Sequence, residues 1–175
     1  RHLHDEGFSV VAVYDANPNQ AKSLADEIGA TEAVQLSQVS HLADYIITVV
    51  TDDNAMREIF SESTDDSLIK NAKGDIFINC ATISPDVHVE VEQIAEKYGA
   101  RTLEGCMASS ITQAREGTLY LMCGGKEETF NAVKPILESL GDVPIRTYIG
   151  LGVIMGMNVN LPQFNGHPEK DYHGP

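Results

Sequence analysis

One acidic residue stands where a strand gives way to a turn, a position from which it could bind a nucleotide. Asp15 closes the apolar, β-branched run 8–14 and precedes Asn17-Pro18. At the carboxyl end of a strand, a carboxylate can accept hydrogen bonds from both hydroxyls of an adenosine ribose, and it would repel a 2′-phosphate. Asp15 therefore predicts NAD as a cofactor, with NADP less favoured. An aspartate that caps a helix or closes a turn is the open alternative.

Three glycines near the other end of the chain could approach a phosphate group closely. Gly150, Gly152 and Gly156 follow the strand-like run 145–149. Their spacing resembles the G-x-G-x-x-G fingerprint with one additional residue. In that fingerprint the missing side chains let the backbone reach a pyrophosphate. A glycine-rich connection between domains is the alternative.

The first residues, 1–7, are typical of the second half of a helix that would follow such a glycine loop. Residues 156–160 would lead into Arg1 in a plausible helix register, with Asp15 close to the expected position about 20 residues after the last glycine. We therefore hypothesise one domain whose first strand and glycine loop are displaced to about residue 150. A fragment cut inside its first helix is the competing interpretation.

Strand-like runs alternate with helical stretches along most of the chain. The strand-like runs are short, β-branched and nearly continuous, as in strands buried on both faces: 8–14, 45–50, 75–80 and, more weakly, 33–36 and 100–103. Caps, prolines and helical spacing predict helices over 20–28, 84–98 and 126–140. The alternation predicts an α/β fold with a doubly wound, mostly parallel, Rossmann-like sheet in a single domain. We assign residues 1–150 to this domain and 151–175 to a glycine-rich segment and polar tail.

The charge and cysteine content of the chain limit the classes of partner and cellular compartment that we expect. The chain has 175 residues, with 26 Asp and Glu against 12 Lys and Arg, and a net charge of −14. Such a surface repels phosphate backbones, which argues against nucleic acid or an anionic membrane as the main partner. No apolar run approaches the roughly 20 residues of a membrane span. Three cysteines without metal-ligand spacing predict no metal site and a reduced compartment, the cytoplasm or alternatively the mitochondrial matrix.

An ordered set of short motifs resembles one family, the β-hydroxyacid dehydrogenases, whose members act on 3-hydroxyisobutyrate and tartronate semialdehyde and are related to 6-phosphogluconate dehydrogenase. The matching pieces are Tyr14-Asp15-Ala16-Asn17-Pro18, Val49-Val50-Thr51-Asp52, Thr82-Ile83-Ser84-Pro85, Ala114-Arg115-Glu116-Gly117-Thr118-Leu119, Cys123-Gly124-Gly125 and Pro135-Ile136-Leu137. The resemblance spans residue 1 to about residue 150 and implies the NAD-binding domain of such an enzyme.

The resemblance implies roles for several residues. Asp15 would hold the adenosine ribose. Val50, Thr51 and Asp52 would line the adenosine and bridging region, and Thr82 would lie near the nicotinamide. The glycines Gly150, Gly152 and Gly156 would complete the cofactor site.

The substrate segment departs from the family pattern. Residues 104–110 take the place of the family's D-A-P-V-S-G-G, so that the family serine falls on Ala108 and its glycines on Ser109 and Ser110. These two hydroxyls are the candidate substrate ligands, with helix capping as the alternative. Likewise, the first residue of the family's S-T-x-x-P falls on Ala81.

The family's acid–base lysine lies in a G-x-x-x-K-x-x-x-N pattern on a later helix. Beyond Lys134 the sequence has only Lys170, outside such a pattern, and no helical second domain follows in these 175 residues. We therefore assign no catalytic residue.

The resemblance implies an NAD-dependent oxidoreductase that transfers hydride between NAD and a small 3-hydroxy acid, with a homo-oligomer as a further expectation. A non-catalytic NAD-binding or interaction module that lacks the lysine is the alternative. A small flavodoxin-like domain without a cofactor is the third interpretation.

Overall fold

The computed structural model describes residues 1–141 and 145–147, and the side chains of residues 1–141. The helices are α1 (His2–Asp5), α2 (Pro18–Ile28), α3 (Leu36–Leu42), α4 (Asp53–Ile59), α5 (Pro85–Lys97), α6 (Ile111–Glu116) and α7 (Glu127–Leu140). The strands are β1 (Ala12–Val13), β2 (Thr31–Glu32), β3 (Tyr45–Thr48), β4 (Ile76–Asn79), β5 (Arg101–Met107), β6 (Leu121–Gly124) and β7 (Ile145–Thr147).

The strands form a two-stranded and a five-stranded sheet. β1 pairs with β2 in parallel, and the larger sheet has the order β3-β4-β5-β6-β7. Its pairs are parallel except β5 with β6, which is antiparallel. The predicted α/β class and mostly parallel Rossmann-like sheet are therefore confirmed.

Two apolar cores lie on opposite faces of the larger sheet, as a doubly wound fold requires. One core includes Phe77 of β4, Val91 of α5 and Phe60, whose ring meets that of Phe77 edge to face at 4.9 Å. The other includes Leu103 of β5 and Leu137 of α7. Neighbouring residues of one strand point to opposite faces. β4 and β5 are therefore buried on both faces, which explains their nearly continuous apolar sequences. β3 departs from this expectation, because it buries Ile46 and Thr48 and leaves Tyr45 and Ile47 exposed.

The helices begin and end at the capping residues, prolines and glycines of the sequence. The Asn17 side chain accepts a hydrogen bond from the Asn19 amide at the start of α2, and Pro18 occupies the first turn. α2 ends at Gly29, whose φ of 69° lies in the left-handed region that glycine adopts without strain. The predicted start of α5 at Ser84-Pro85 is also confirmed.

Two strand predictions need correction. The run 33–36 is not a strand, because the Val34 amide bonds to the Gln38 side chain and the chain turns into α3. The strand lies at β2 instead, where the Thr31 amide bonds to the Val11 carbonyl. The run 8–14 contributes only the two residues of β1.

The strand at 100–103 is longer than predicted. β5 continues through Met107, because antiparallel pairing with β6 extends to the Met107–Leu121 pair. No described helix is long and apolar enough to cross a membrane.

Candidate functional site

The carboxyl ends of β3, β4 and β5 lie side by side, and two adjoining clefts open there. The first has a volume of about 500 Å³ and is lined by Thr51, Asp52, Asp53, Asn54, Thr82, Ile83, Ser84 and Pro85. The second, about 320 Å³, is bordered by residues that include Val50, Thr51, Thr82, Ser109 and Ser110. Ligands of open α/β sheets bind at this edge. Six residues predicted from the sequence are thereby brought together.

The turn after β3 is held by Asp52. Its Oδ1 accepts a hydrogen bond from the Ala55 amide at 2.9 Å, and its Oδ2 accepts one from Thr51 Oγ1 at 3.1 Å. These bonds, the amide bond first, lower the pKa of Asp52 below its ordinary value, so that the group is ionised at neutral pH. Asp52 thus caps α4 and keeps Thr51 at the junction of the two clefts.

A second carboxylate joins the turn after β3 to the turn after β4. Asp53 Oδ1 accepts a hydrogen bond from the Ser84 amide at 2.8 Å, and Oδ2 accepts one from Ser84 Oγ at 2.5 Å. The bonds from Ser84 lower the pKa of Asp53. The sequence interpretation did not single out this pair. The signal available was Ser84 next to Pro85, which was interpreted as a helix start and as part of a family motif.

Thr82 is exposed at the turn after β4 and borders both clefts. The neighbouring Ala81 is buried and belongs to the core on the α5 side of the sheet. Thr82 is therefore the residue of this turn whose hydroxyl is available to a ligand. Val50 packs half-buried against the same core while bordering the second cleft.

The two serines after β5 differ in their hydrogen bonds. Ser110 caps α6, since its Oγ accepts a hydrogen bond from the Gln113 amide at 3.3 Å and Gln113 Oε1 accepts one from the Ser110 amide at 3.0 Å. Ser109 Oγ instead accepts a hydrogen bond from the Tyr120 amide at 2.7 Å. The capping alternative describes Ser110 and not Ser109. A hydroxyl that accepts one bond still has its own proton to donate.

Asp15 lies just beyond β1 and does not border the two clefts. One carboxylate oxygen, Oδ1, accepts a hydrogen bond from the Asn17 amide at 2.7 Å. The aspartate thus closes the turn that leads into α2. The predicted glycine loop of Gly150, Gly152 and Gly156 lies outside the described residues.

The donor and acceptor set fits a dinucleotide. Two exposed threonine hydroxyls open onto both clefts, and carboxylates suited to hydroxyl groups lie at the ends of β1 and β3. No lysine borders either cleft among residues 1–141. The arrangement can therefore bind and orient a polar ligand, and these side chains hold no obvious donor for proton transfer to a hydroxyl.

Comparison with known proteins also points to a dinucleotide-binding domain. Residues 1–152 match the family described as the NAD binding domain of 6-phosphogluconate dehydrogenase. The mitochondrial 3-hydroxyisobutyrate dehydrogenase of Mus musculus is 31% identical over 141 residues, which are 81% of this chain and 41% of that protein. The Pseudomonas aeruginosa 3-hydroxyisobutyrate dehydrogenase is 28% identical over 132 residues, 75% of this chain and 43% of that protein.

Among solved structures, the Mycobacterium tuberculosis 3-hydroxyisobutyrate dehydrogenase with L-serine superposes with a TM-score of 0.74 at 27% identity. The match covers 83% of this chain and 48% of that one. The chain thus spans less than half the length of these relatives. It belongs to the NAD-binding domain family of 6-phosphogluconate dehydrogenase, in which its relatives include the 3-hydroxyisobutyrate dehydrogenases.

Proposed function

We propose that the chain is the cofactor-binding part of an oxidoreductase that transfers hydride between NAD and a small 3-hydroxy acid. The observation that carries the proposal is the pair of adjoining clefts at the carboxyl ends of β3, β4 and β5, in a domain whose family cofactor is NAD. The relatives named 3-hydroxyisobutyrate dehydrogenases support the substrate class. NAD, when bound, would supply the hydride acceptor or donor.

We assign the cofactor side of the site to Asp15, Val50, Thr51, Asp52 and Thr82. Asp15 has one carboxylate oxygen in its turn and offers the other to the ribose hydroxyls. Ionised Asp52 holds Thr51 in place, and Thr82 presents its hydroxyl where the two clefts meet. Gly150, Gly152 and Gly156 stay predicted ligands of the pyrophosphate.

Ser109 is the better candidate for the substrate carboxylate than Ser110. The Ser109 oxygen accepts from the Tyr120 amide and can donate its own proton into the second cleft. The Ser110 hydroxyl already meets both the amide and the Oε1 of Gln113. The residues bordering the clefts therefore bind and orient the cofactor and the substrate. We assign none of them the transfer of a proton to or from the substrate hydroxyl.

Calorimetric titration of the chain with NADH and NADPH tests this proposal. We expect micromolar binding of NADH and weaker binding of NADPH. Binding of neither would contradict both the oxidoreductase and the non-catalytic module. Binding of NADH, without turnover of 3-hydroxyisobutyrate or its homologues by the complete protein, would favour the module.

We retain three further predictions as part of the proposal. Residues 1–150 form the NAD-binding unit and 151–175 a separate segment. The three cysteines, all buried and none in a disulfide, suit the cytoplasm or mitochondrial matrix. A homo-oligomer is tested by light scattering after size-exclusion chromatography.

A further inference from the structure

Three buried side chains of the types that bind metals converge on the α5 face of the larger sheet. They are His88 of α5 and Glu104 and Cys106 of β5. The side chains of His88 and Glu104 are 0% exposed and Cys106 is 1% exposed. One donor atom from each lies within 4.8 Å of the others. The cluster is separate from the residues assigned to the cofactor and the substrate.

The fold explains why the three meet. Glu104 and Cys106 stand two residues apart on one strand and therefore point to the same face. His88 lies in the first turn of α5, on the buried side that also carries Val87 and Val91. Packing of α5 on this face brings the imidazole over the carboxylate and the thiol. Linear spacing does not reveal the cluster, which is why the sequence predicted no metal site.

The distances match those between ligands of one small ion. His88 Nε2 lies 3.5 Å from Glu104 Oε1, and Cys106 Sγ lies 3.3 Å from the same oxygen. Tetrahedral Zn²⁺, with bonds of about 2.0–2.3 Å, places its nitrogen, oxygen and sulfur ligands about 3.3–3.6 Å apart. The carbonyl oxygen of Ala81, 3.6 Å from Cys106 Sγ, is a further oxygen beside the cluster.

The hydrogen bonding of His88 points to a missing ligand. Within residues 1–141, neither ring nitrogen has a partner at hydrogen-bond geometry, although Nε2 lies at ion-pair distance from Glu104 Oε1 and the Ala81 carbonyl interacts with the ring. A buried imidazole normally bonds through at least one nitrogen, because burying it unbonded costs free energy. A metal ion at the centre of the cluster would use the unbonded nitrogen.

We propose that His88, Glu104 and Cys106 bind one Zn²⁺ ion in a closed structural site. The thiol proton of Cys106 passes to solvent as the sulfur–zinc bond forms. Thiolate, carboxylate and neutral imidazole then balance the two positive charges of the ion, so that no net charge is buried. The ion would tie the first turn of α5 to β5, directly beneath the Ala81–Thr82 turn. Because the cluster is closed to solvent, the ion enters as the chain folds.

To test the proposal, the full chain is refolded in the presence of Zn²⁺ or Co²⁺ and unbound metal is removed. The bound metal is then measured by mass spectrometry. We expect one equivalent of Zn²⁺ per chain and, with Co²⁺, a thiolate-to-cobalt charge-transfer band. The variants C106A and H88F should lose both signals. H4Q, which alters an exposed histidine, should keep them.

The double variant C80A/C123A is the sharper test. Cys80 and Cys123 belong to the core on the opposite face of the sheet, and their replacement leaves Cys106 as the only cysteine of the chain. A thiolate–cobalt band in this variant can come only from Cys106 and supports the site, even where C106A fails to fold. A wild-type chain that gives no such band, or holds no stoichiometric Zn²⁺, overturns the proposal. So does metal that H88F retains or that H4Q removes.

Discussion

Asp53 and Ser84 join the first turns of two helices that follow neighbouring strands. Both carboxylate oxygens of Asp53 are used, one by the Ser84 amide at 2.8 Å and one by the Ser84 hydroxyl at 2.5 Å. The two residues border the larger cleft, between the end of β3 and the end of β4. Their bonds therefore set the distance between the two turns that carry Thr51 and Thr82.

Replacement of Ser84 by alanine removes the hydroxyl bond and keeps the amide bond. We expect S84A to lower the midpoint of thermal unfolding by about 2–4 °C and to weaken NADH binding, since the two turns are less firmly joined. Circular dichroism and calorimetry measure the two effects. S63A, which removes an exposed hydroxyl bonded to Ser61, should change neither.

The stabilising effect of Ser84 depends on pH. Its bonds hold the pKa of Asp53 below the ordinary value in the folded chain. The contribution is therefore fully present above the unfolded-state pKa of about 3.9 and is lost as the pH falls through the lower folded-state value. The difference in midpoint between wild type and S84A should shrink in strong acid. A difference that grows on acidification would contradict the assignment.

Asp15 is expected to determine the choice between NAD and NADP. D15N keeps an oxygen for the Asn17 amide but removes the charge that attracts hydroxyls and repels a phosphate. We expect NADH affinity to fall about tenfold, the effect of about 1.4 kcal/mol from a charged hydrogen bond, and NADPH affinity to rise. D5N, at another exposed aspartate, is the control. Unchanged affinity ratios in D15N would remove Asp15 from the site.

Asp75 makes folding depend on pH in the opposite sense. The residue is 6% exposed, and burial, followed by repulsion from Asp44, raises its pKa to about 6. Since this exceeds the unfolded value of about 3.9, ionisation opposes folding: the cost is absent below about pH 4 and complete above about pH 6.

We therefore expect D75N to be more stable than wild type at pH 7.5, by about 1 kcal/mol after allowance for solvent screening. At pH 4 the two proteins should have the same stability. Urea unfolding at both pH values measures the difference, with D65N, at an exposed aspartate, as the control. A D75N chain less stable than wild type at pH 7.5 would show that the carboxylate is favourably bonded.

The three thiols are expected to resist alkylation in the folded chain. Burial raises the pKa of Cys80 and of Cys123 to about 12, and in the metal-free chain burial together with Glu104 raises that of Cys106 as well. At pH 8 a thiol of pKa about 12 is a thiolate about once in ten thousand molecules. Iodoacetamide should add no mass to the native chain and three carbamidomethyl groups in urea. Rapid native labelling would show that the sheet opens between β4 and β6.

Helix-capping residues and prolines made much of the fold predictable. Asn17-Pro18 and Ser84-Pro85 mark the starts of α2 and α5, because a capping side chain and a fixed proline φ favour a first turn. β4 was recognisable since strands buried on both faces are continuously apolar. β3 was recognisable from its β-branched run, although it buries only one face. The run 33–36 resembles these strands more weakly, and in the structure Gln38 accepts a hydrogen bond from the Val34 amide where the chain turns into α3. The pattern of apolar residues does not reveal that a side chain competes with strand pairing for the Val34 amide.

The candidate site was predictable where it follows a strand end. Thr51, Asp52 and Thr82 come directly after strands, and the parallel sheet brings them to one edge. The division of roles between Ser109 and Ser110 was not predictable, because it depends on β6 placing the Tyr120 amide beside Ser109. Neither was the meeting of His88 with β5, which arises from packing between distant segments.

The outer edge of β3 has a consequence for handling the protein. Tyr45, Ile47 and Val49 are 49%, 36% and 65% exposed. The carbonyls of Asp44 and Thr48 accept hydrogen bonds from the amides of Ile76, at the start of β4, and Cys80, just after its end. In residues 1–141 and 145–147 no strand pairs with this edge. An open apolar edge can recruit a strand from another molecule, and the net charge of −14 opposes such contacts by repulsion. We therefore expect salt to promote aggregation of this chain, so that dilute, low-salt buffers preserve the monodisperse protein.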